Sequence, residues 1–121
     1  MIGRVIILLV GLAGCVGVIA RYGISSAFHA DALPWATVGI NVAGSLLLGL
    51  LVSSHTFSED ARTVLGVGFL GGFTTFSTFT VQAVLDVEAG EPGRALLYVA
   101  ASLGLGFAAA AGGYYLGRAV L

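Results

Sequence analysis

Apolar residues in this chain neither alternate nor keep to one helical face; they come in long blocks separated by short polar stretches. Three blocks carry no charged side chain: Ala32 to Ser54, Thr63 to Leu85 and Ala95 to Gly117, each 23 residues long. A helix of that length rises roughly 35 Å, enough to cross a hydrocarbon core about 30 Å thick. The first block is less regular. Val5 to Ala20 is uncharged, Arg21 interrupts, and Tyr22 to Phe28 continues largely apolar. The pattern predicts an all-α membrane protein: one domain over residues 1–121, with four transmembrane helices at about 3–29, 33–54, 62–85 and 94–118. Almost nothing is left for a domain outside the lipid bilayer.

Composition agrees. Hydrophobic residues make up 58% of the chain and charged residues 9%, too few to cover a water-soluble domain of this size. The five basic residues are all arginines and form no cluster, which excludes nucleic acid as a partner. Cys15, the single cysteine, cannot form an internal disulfide. The run Leu12-Ala13-Gly14-Cys15 after an apolar stretch is similar to a bacterial lipoprotein signal. The chain beyond it stays apolar, however, which favours Cys15 as a small packing residue.

Arginine placement normally fixes orientation in the membrane. In a four-helix topology Arg4, Arg62 and Arg118 fall on one side, and Arg21 and Arg94 on the other. Three against two is almost no bias. Either a sparsely charged chain follows a weak signal, or it inserts both ways and pairs with an inverted copy of itself, forming an antiparallel, dual-topology homodimer.

Small residues recur along the first and last helices: Gly11, Gly14 and Gly17 in one, Gly104, Ala108 and Gly112 in the other, with Gly113 and Gly117 beside them. Such stripes suit close helix packing in lipid. Two polar stripes are less easily assigned to packing. Thr37, Asn41, Ser45 and Gly49 recur every four residues in the second helix, and Tyr98 and Ser102 do so in the fourth. Hydroxyls can bond to their own i−4 carbonyls. A carboxamide at membrane depth needs partners for its donors and acceptors, so Asn41 either joins helices or lines a wet path.

The third block contains "GGFTTFSTFT", Gly71 to Thr80. Adjacent glycines and clustered hydroxyls disfavour a regular helix, and irregular backbone in a membrane must be buried in protein or line a cavity. We expect either an unbroken, closely packed helix or a break at Gly71-Gly72. A break would leave carbonyls suited to a hard cation and amides suited to an anion. Phe73, Phe76 and Phe79 recur every three residues, serving packing or turning positive ring edges toward an anion.

The stretch "GGFTTFSTF" resembles the signature of the CrcB/Fluc fluoride channel family. The Gly14, Gly17, Arg21-Tyr22 spacing, "NVAGSLLLG" from Asn41 to Gly49, and Tyr98 with Ser102 extend the resemblance along essentially the whole chain. It implies passive, selective fluoride efflux through an antiparallel homodimer in the cell membrane, with two separate pores. Phe76 and Phe79 would line each pore. Asn41 would donate to fluoride, Tyr98 and Ser102 would complete a polar path, and Thr37 and Thr78 would lie along it. Arg21 would attract anions in a vestibule. A structural sodium ion would sit on the two-fold axis, held by backbone carbonyls of Gly71 and Thr74 from both subunits. The chain departs from the family pattern at Gln82, where an acid is common, and at Gly106, where a hydroxyl sometimes occurs.

Other classes fit less well. A small proton-coupled exporter would suit four helices and a dual-topology dimer, but needs a titratable group within the membrane. Asp86, Glu88, Glu91, Glu59 and Asp60 lie near span ends, as do His29 and His55. A membrane scaffold would leave Asn41 and the hydroxyls without a role. An enzyme would need a catalytic constellation, and no uncharged block holds one.

Overall fold

The computed structural model describes residues 2–121 and, among them, is entirely helical. Helix α1 spans Ile2–Ser26 and α2 spans Leu33–Ser53. The third span runs from Glu59 to Glu88 in pieces: α3 (Glu59–Arg62), a π-helical segment (Thr63–Leu70), α4 (Gly71–Phe73) and α5 (Phe76–Glu88). Helix α6 spans Pro92–Val120. The four spans are each long and apolar enough to cross a membrane.

Local chemistry sets the boundaries. The α1 helix tightens into i→i−3 bonds from Ala27 and Phe28, ending three residues before the expected 29. Ser58 caps α3, its hydroxyl accepting from the Ala61 amide at 3.1 Å, with Glu59 and Asp60 in the first turn and Arg62 in the last. The third span therefore begins before 62 and continues past 85. It ends in a Schellman motif: the Gly90 amide bonds to Val87 O and the Glu91 amide to Asp86 O, while Gly90 takes φ 81°. Pro92 then opens α6, where its missing N–H costs nothing.

Packing rests on backbone contact more than on large side chains. Helix α1 lies against the π segment and α4; α2 lies against α6, and α5 joins α6. A methyl at Gly17 would overlap the Phe69 carbonyl and come within 2.9 Å of the Phe73 amide. Gly72 meets Gly14, and Gly113 and Gly117 meet the α2 backbone. Within the protomer it is the glycines beside the Gly104, Ala108 and Gly112 stripe that make the contact, since a methyl at Gly104 or Gly112 would touch nothing within 4 Å. Gly113 and Gly117 lie one residue round the helix and face α2 instead.

The bend in the third span also departs from expectation. Gly71 is helical at φ −62°, ψ −36°, and Gly72 lies within α4. Thr74 (φ −85°, ψ 158°) and Thr75 (φ −149°, ψ 120°) are the residues that turn extended. Gly72 serves close approach to α1, a demand a regular helix meets. The threonines leave the helix because side chains offer their neighbourhood other hydrogen bonds.

Gly17→Ala should lower the thermal unfolding midpoint in detergent. Gly23→Ala, with nothing within 4 Å, should leave it unchanged or raise it, since Ala favours a helix over Gly by about 0.5–1 kcal/mol. Equal behaviour of the two variants would refute backbone contact at Gly17.

Candidate functional site: a groove at the bend of the third span

The site is built where α2 meets the two extended threonines. Asn41 Nδ2 donates to the Thr75 carbonyl at 2.9 Å, and the Thr75 amide donates to Asn41 Oδ1 at 2.8 Å. One side-chain amide thus takes the place of a peptide neighbour for Thr75. In an unbroken helix the Thr75 amide would bond to Gly71 O and the Thr78 amide to Thr74 O. Asn41 intercepts the first. The Thr75 hydroxyl intercepts the second, accepting from the Thr78 amide at 3.2 Å and capping α5. The carbonyls of Gly71 and Thr74 are left without their helical donors. Both residues line an open groove of about 290 Å³, together with Asn41, Phe76, Phe79 and Ser102.

An aromatic series leads away from the bend. Phe76 is 74% exposed and its ring centroid lies 5.8 Å from that of Phe79, which is 7% exposed. Phe79 meets fully buried Tyr98 at 5.2 Å with planes at 60°, an edge-type contact. Trp35 closes on Tyr98 from α2 at 6.3 Å, nearly perpendicular. The Tyr98 hydroxyl donates to Gln82 Oε1 at 2.8 Å. One turn along α6 from Tyr98, the Ser102 hydroxyl is buried and has no hydrogen-bond partner.

The remaining expected residues fall into two groups. Thr78 does not line the groove but is joined to it through Thr75, its hydroxyl accepting from Thr75 Oγ1 at 3.1 Å. Thr37 is buried but bonds to its own i−4 carbonyl at Leu33, the self-satisfied arrangement open to any intramembrane hydroxyl. Arg21 is half-buried and donates from Nε to Gly72 O at 3.2 Å, so it also steadies the bend. Phe73 leaves the aromatic series and stacks on Phe69 at 5.8 Å. Thr75 was missed by sequence reasoning, although its spacing of three from Thr78 is that of an N-cap and the amide it satisfies.

No group of three His, Cys, Asp or Glu side chains among the described residues could hold a metal, and the oxygens lining the groove are those of hydroxyls, an amide and backbone carbonyls. Those of Gly71 and Thr74 fit a hard cation in kind, being oxygen ligands with no competing donor.

Residues 8–114 match the family described as CrcB-like protein, Camphor Resistance (CrcB). The chain belongs to this family. A Thermus thermophilus protein named fluoride-specific ion channel FluC is 42% identical over 120 residues, covering 94% of this chain and 96% of that one. An Erythrobacter litoralis protein of the same name is 39% identical over 121 residues, covering 90% and 89%. The Bacillus subtilis protein fluoride-specific ion channel FluC 2 is 42% identical over 112 residues, covering 90% and 85%. The CrcB match takes in every residue of the groove and of the aromatic series.

Asn41→Leu should destabilise the folded state, since it strands the N–H of Thr75 at about 1–3 kcal/mol and takes away the second donor to a C=O that, at the N-cap, keeps only its first α5 bond. Thr75→Ala removes a helix cap and should cost about 1 kcal/mol. Thermal unfolding in detergent checks the order; a loss for Asn41→Leu no greater than for Thr75→Ala would remove Asn41 as the holder of the bend.

Proposed function

We propose that the chain is a fluoride-selective channel that carries fluoride passively out of the cell across the cell membrane. The observation that carries this reading is the near-full-length likeness to proteins named fluoride-specific ion channels. The groove supplies suitable chemistry. Fluoride is small and strongly hydrated, so losing water requires donors already in place. Asn41 has one Nδ2 hydrogen beyond the one given to Thr75, the Ser102 hydroxyl is buried without a partner, and the Thr78 hydroxyl is bonded to groove-lining Thr75. The edges of Phe76 and Phe79 add the positive rim of the aromatic quadrupole. The groove lining holds no charged side chain, which suits conduction because an arginine or lysine in direct contact would bind the ion and hold it.

The working unit is an antiparallel homodimer. A single protomer leaves Phe76 largely uncovered and its groove open along one side, and the residue Gly71 is exposed there. An inverted second copy would close that side, and the near balance of arginines permits insertion in both orientations. The bend then works as a break in the third span, sheltered by the partner. Two freed carbonyls per protomer are too few to enclose a cation; a two-fold axis doubles them. Sodium bound by Gly71 and Thr74 of both subunits would supply a fixed positive charge that favours anions nearby.

Purified protein in liposomes should release fluoride and retain chloride, as read by ion-selective electrodes. Absence of fluoride release, or uptake coupled to a proton gradient, would reject the channel. Phe76→Ile should reduce fluoride flux at least tenfold while leaving the dimer intact; unchanged flux would remove the ring-edge role.

Replacing sodium with a large organic cation during purification should shift the dimer toward monomer on size exclusion. Indifference to the cation would reject the Gly71 and Thr74 site.

A further inference from the structure

Helices α5 and α6 form a hairpin, and two side-chain rungs cross it. The inner rung is Tyr98 to Gln82 at 2.8 Å. Each partner has a charged residue one helical turn toward the hairpin loop: Arg94 four residues before Tyr98, and Asp86 four residues after Gln82. These two form the outer rung, with Arg94 Nε 3.8 Å from Asp86 Oδ2. The charges therefore stand directly beyond the end of the Phe76–Phe79–Tyr98 series, and they are unlike their neighbours. Asp86 keeps only 14% of its side-chain surface exposed, and its Oδ2 is buried without a hydrogen bond. Arg94 keeps 35% exposed and is anchored from its far end by Nη2, which donates to the Asp31 carbonyl in the α1–α2 loop. Glu88 and Glu91, the other acids of the hairpin, are exposed.

At 3.8 Å the pair is too long for a hydrogen bond, and with Asp86 largely buried its attraction does little more than offset the cost of desolvation. Its field is another matter, because charges set in low-dielectric protein are screened less than charges in water and reach the neighbouring end of the aromatic series. We infer that Arg94 and Asp86 form a charge-balanced mouth to the anion path, in which Arg94 draws anions toward the Tyr98 end and Asp86 limits that attraction. Arg94 is then a fixed cation whose attraction is offset by Asp86 3.8 Å away, so that an ion is drawn past it and not held. This deepens the fluoride-channel reading and rests on it.

The two residues then have opposite effects on the same quantity, which a merely structural clasp would not produce. In liposomes at 10 mM ionic strength and subsaturating fluoride, Asp86→Asn should raise the initial flux about threefold, Arg94→Gln should lower it by a similar factor, and the double variant should return near the unaltered protein. At 300 mM ionic strength the differences should shrink to less than about 1.5-fold, because screening shortens the reach of surface charge. Losses in both single variants, or flux in Asp86→Asn that does not respond to salt, would overturn the charged mouth while leaving the channel standing. If Arg94→Gln fails to give a folded protein, the salt response of the isosteric Asp86→Asn variant decides alone. No fluoride flux from the unaltered protein would overturn the channel reading and this inference with it.

Discussion

The carboxamide of Asn41 stands between two spans and satisfies both backbone groups of Thr75. In lipid, a peptide group that leaves its helix finds no water to bond with, so an extended residue in a transmembrane span survives only where something replaces the lost partners. Asn41 is that replacement. Its donor and acceptor are spaced like those of a peptide, and α2 holds it at the level of the bend. Once Thr75 is held, the rest follows in order. The Thr75 hydroxyl is free to cap α5, the Thr78 amide turns to it, and the carbonyls of Gly71 and Thr74 lose the amides a helix would have given them.

The same constraint explains why the molecule is rich in glycine where its spans cross. Helices gain no hydrophobic drive from associating in lipid, so they must gain dispersion and polar contact by approaching closely. Gly17, Gly72 and Gly113 bring backbone against backbone, which fixes α1 beside α4 and α2 beside α6. That rigidity sets the height of Asn41 relative to Thr75 and of Tyr98 relative to Phe79. Large apolar side chains are left on the outside, where lipid suits them: Ile7, Ile19 and Phe107 are each at least 70% exposed. The interior is correspondingly small, with Val38, Phe79 and Tyr98 at its centre.

The groove is unusual in joining neutral donors, aromatic rims and carbonyls stripped of their amides. Each would be costly alone in a membrane, and each is kept because a neighbour on another helix restrains it. Ser102 is the exception, a buried hydroxyl with no partner, and it faces the same groove. An orphaned donor there is what a path for a strongly hydrated anion needs, because the ion takes the bond that the protein leaves unmade.

By itself the sequence determined the four apolar spans, the all-helical class and the family, because span length and the "GGFTTFSTF" motif are local and need no folding to be seen. It also marked Asn41, since a carboxamide in an apolar block demands a partner. It could not name that partner, 34 residues away, nor place the departure from helix at Thr74 and Thr75 in preference to the glycines. Local propensity pointed to Gly71 and Gly72, yet a glycine leaves a helix only when something else competes for its hydrogen bonds. The tertiary structure alone decided where that competition was won, by bringing an amide on α2 and the Gly14 and Gly17 backbone of α1 to particular heights on the third span.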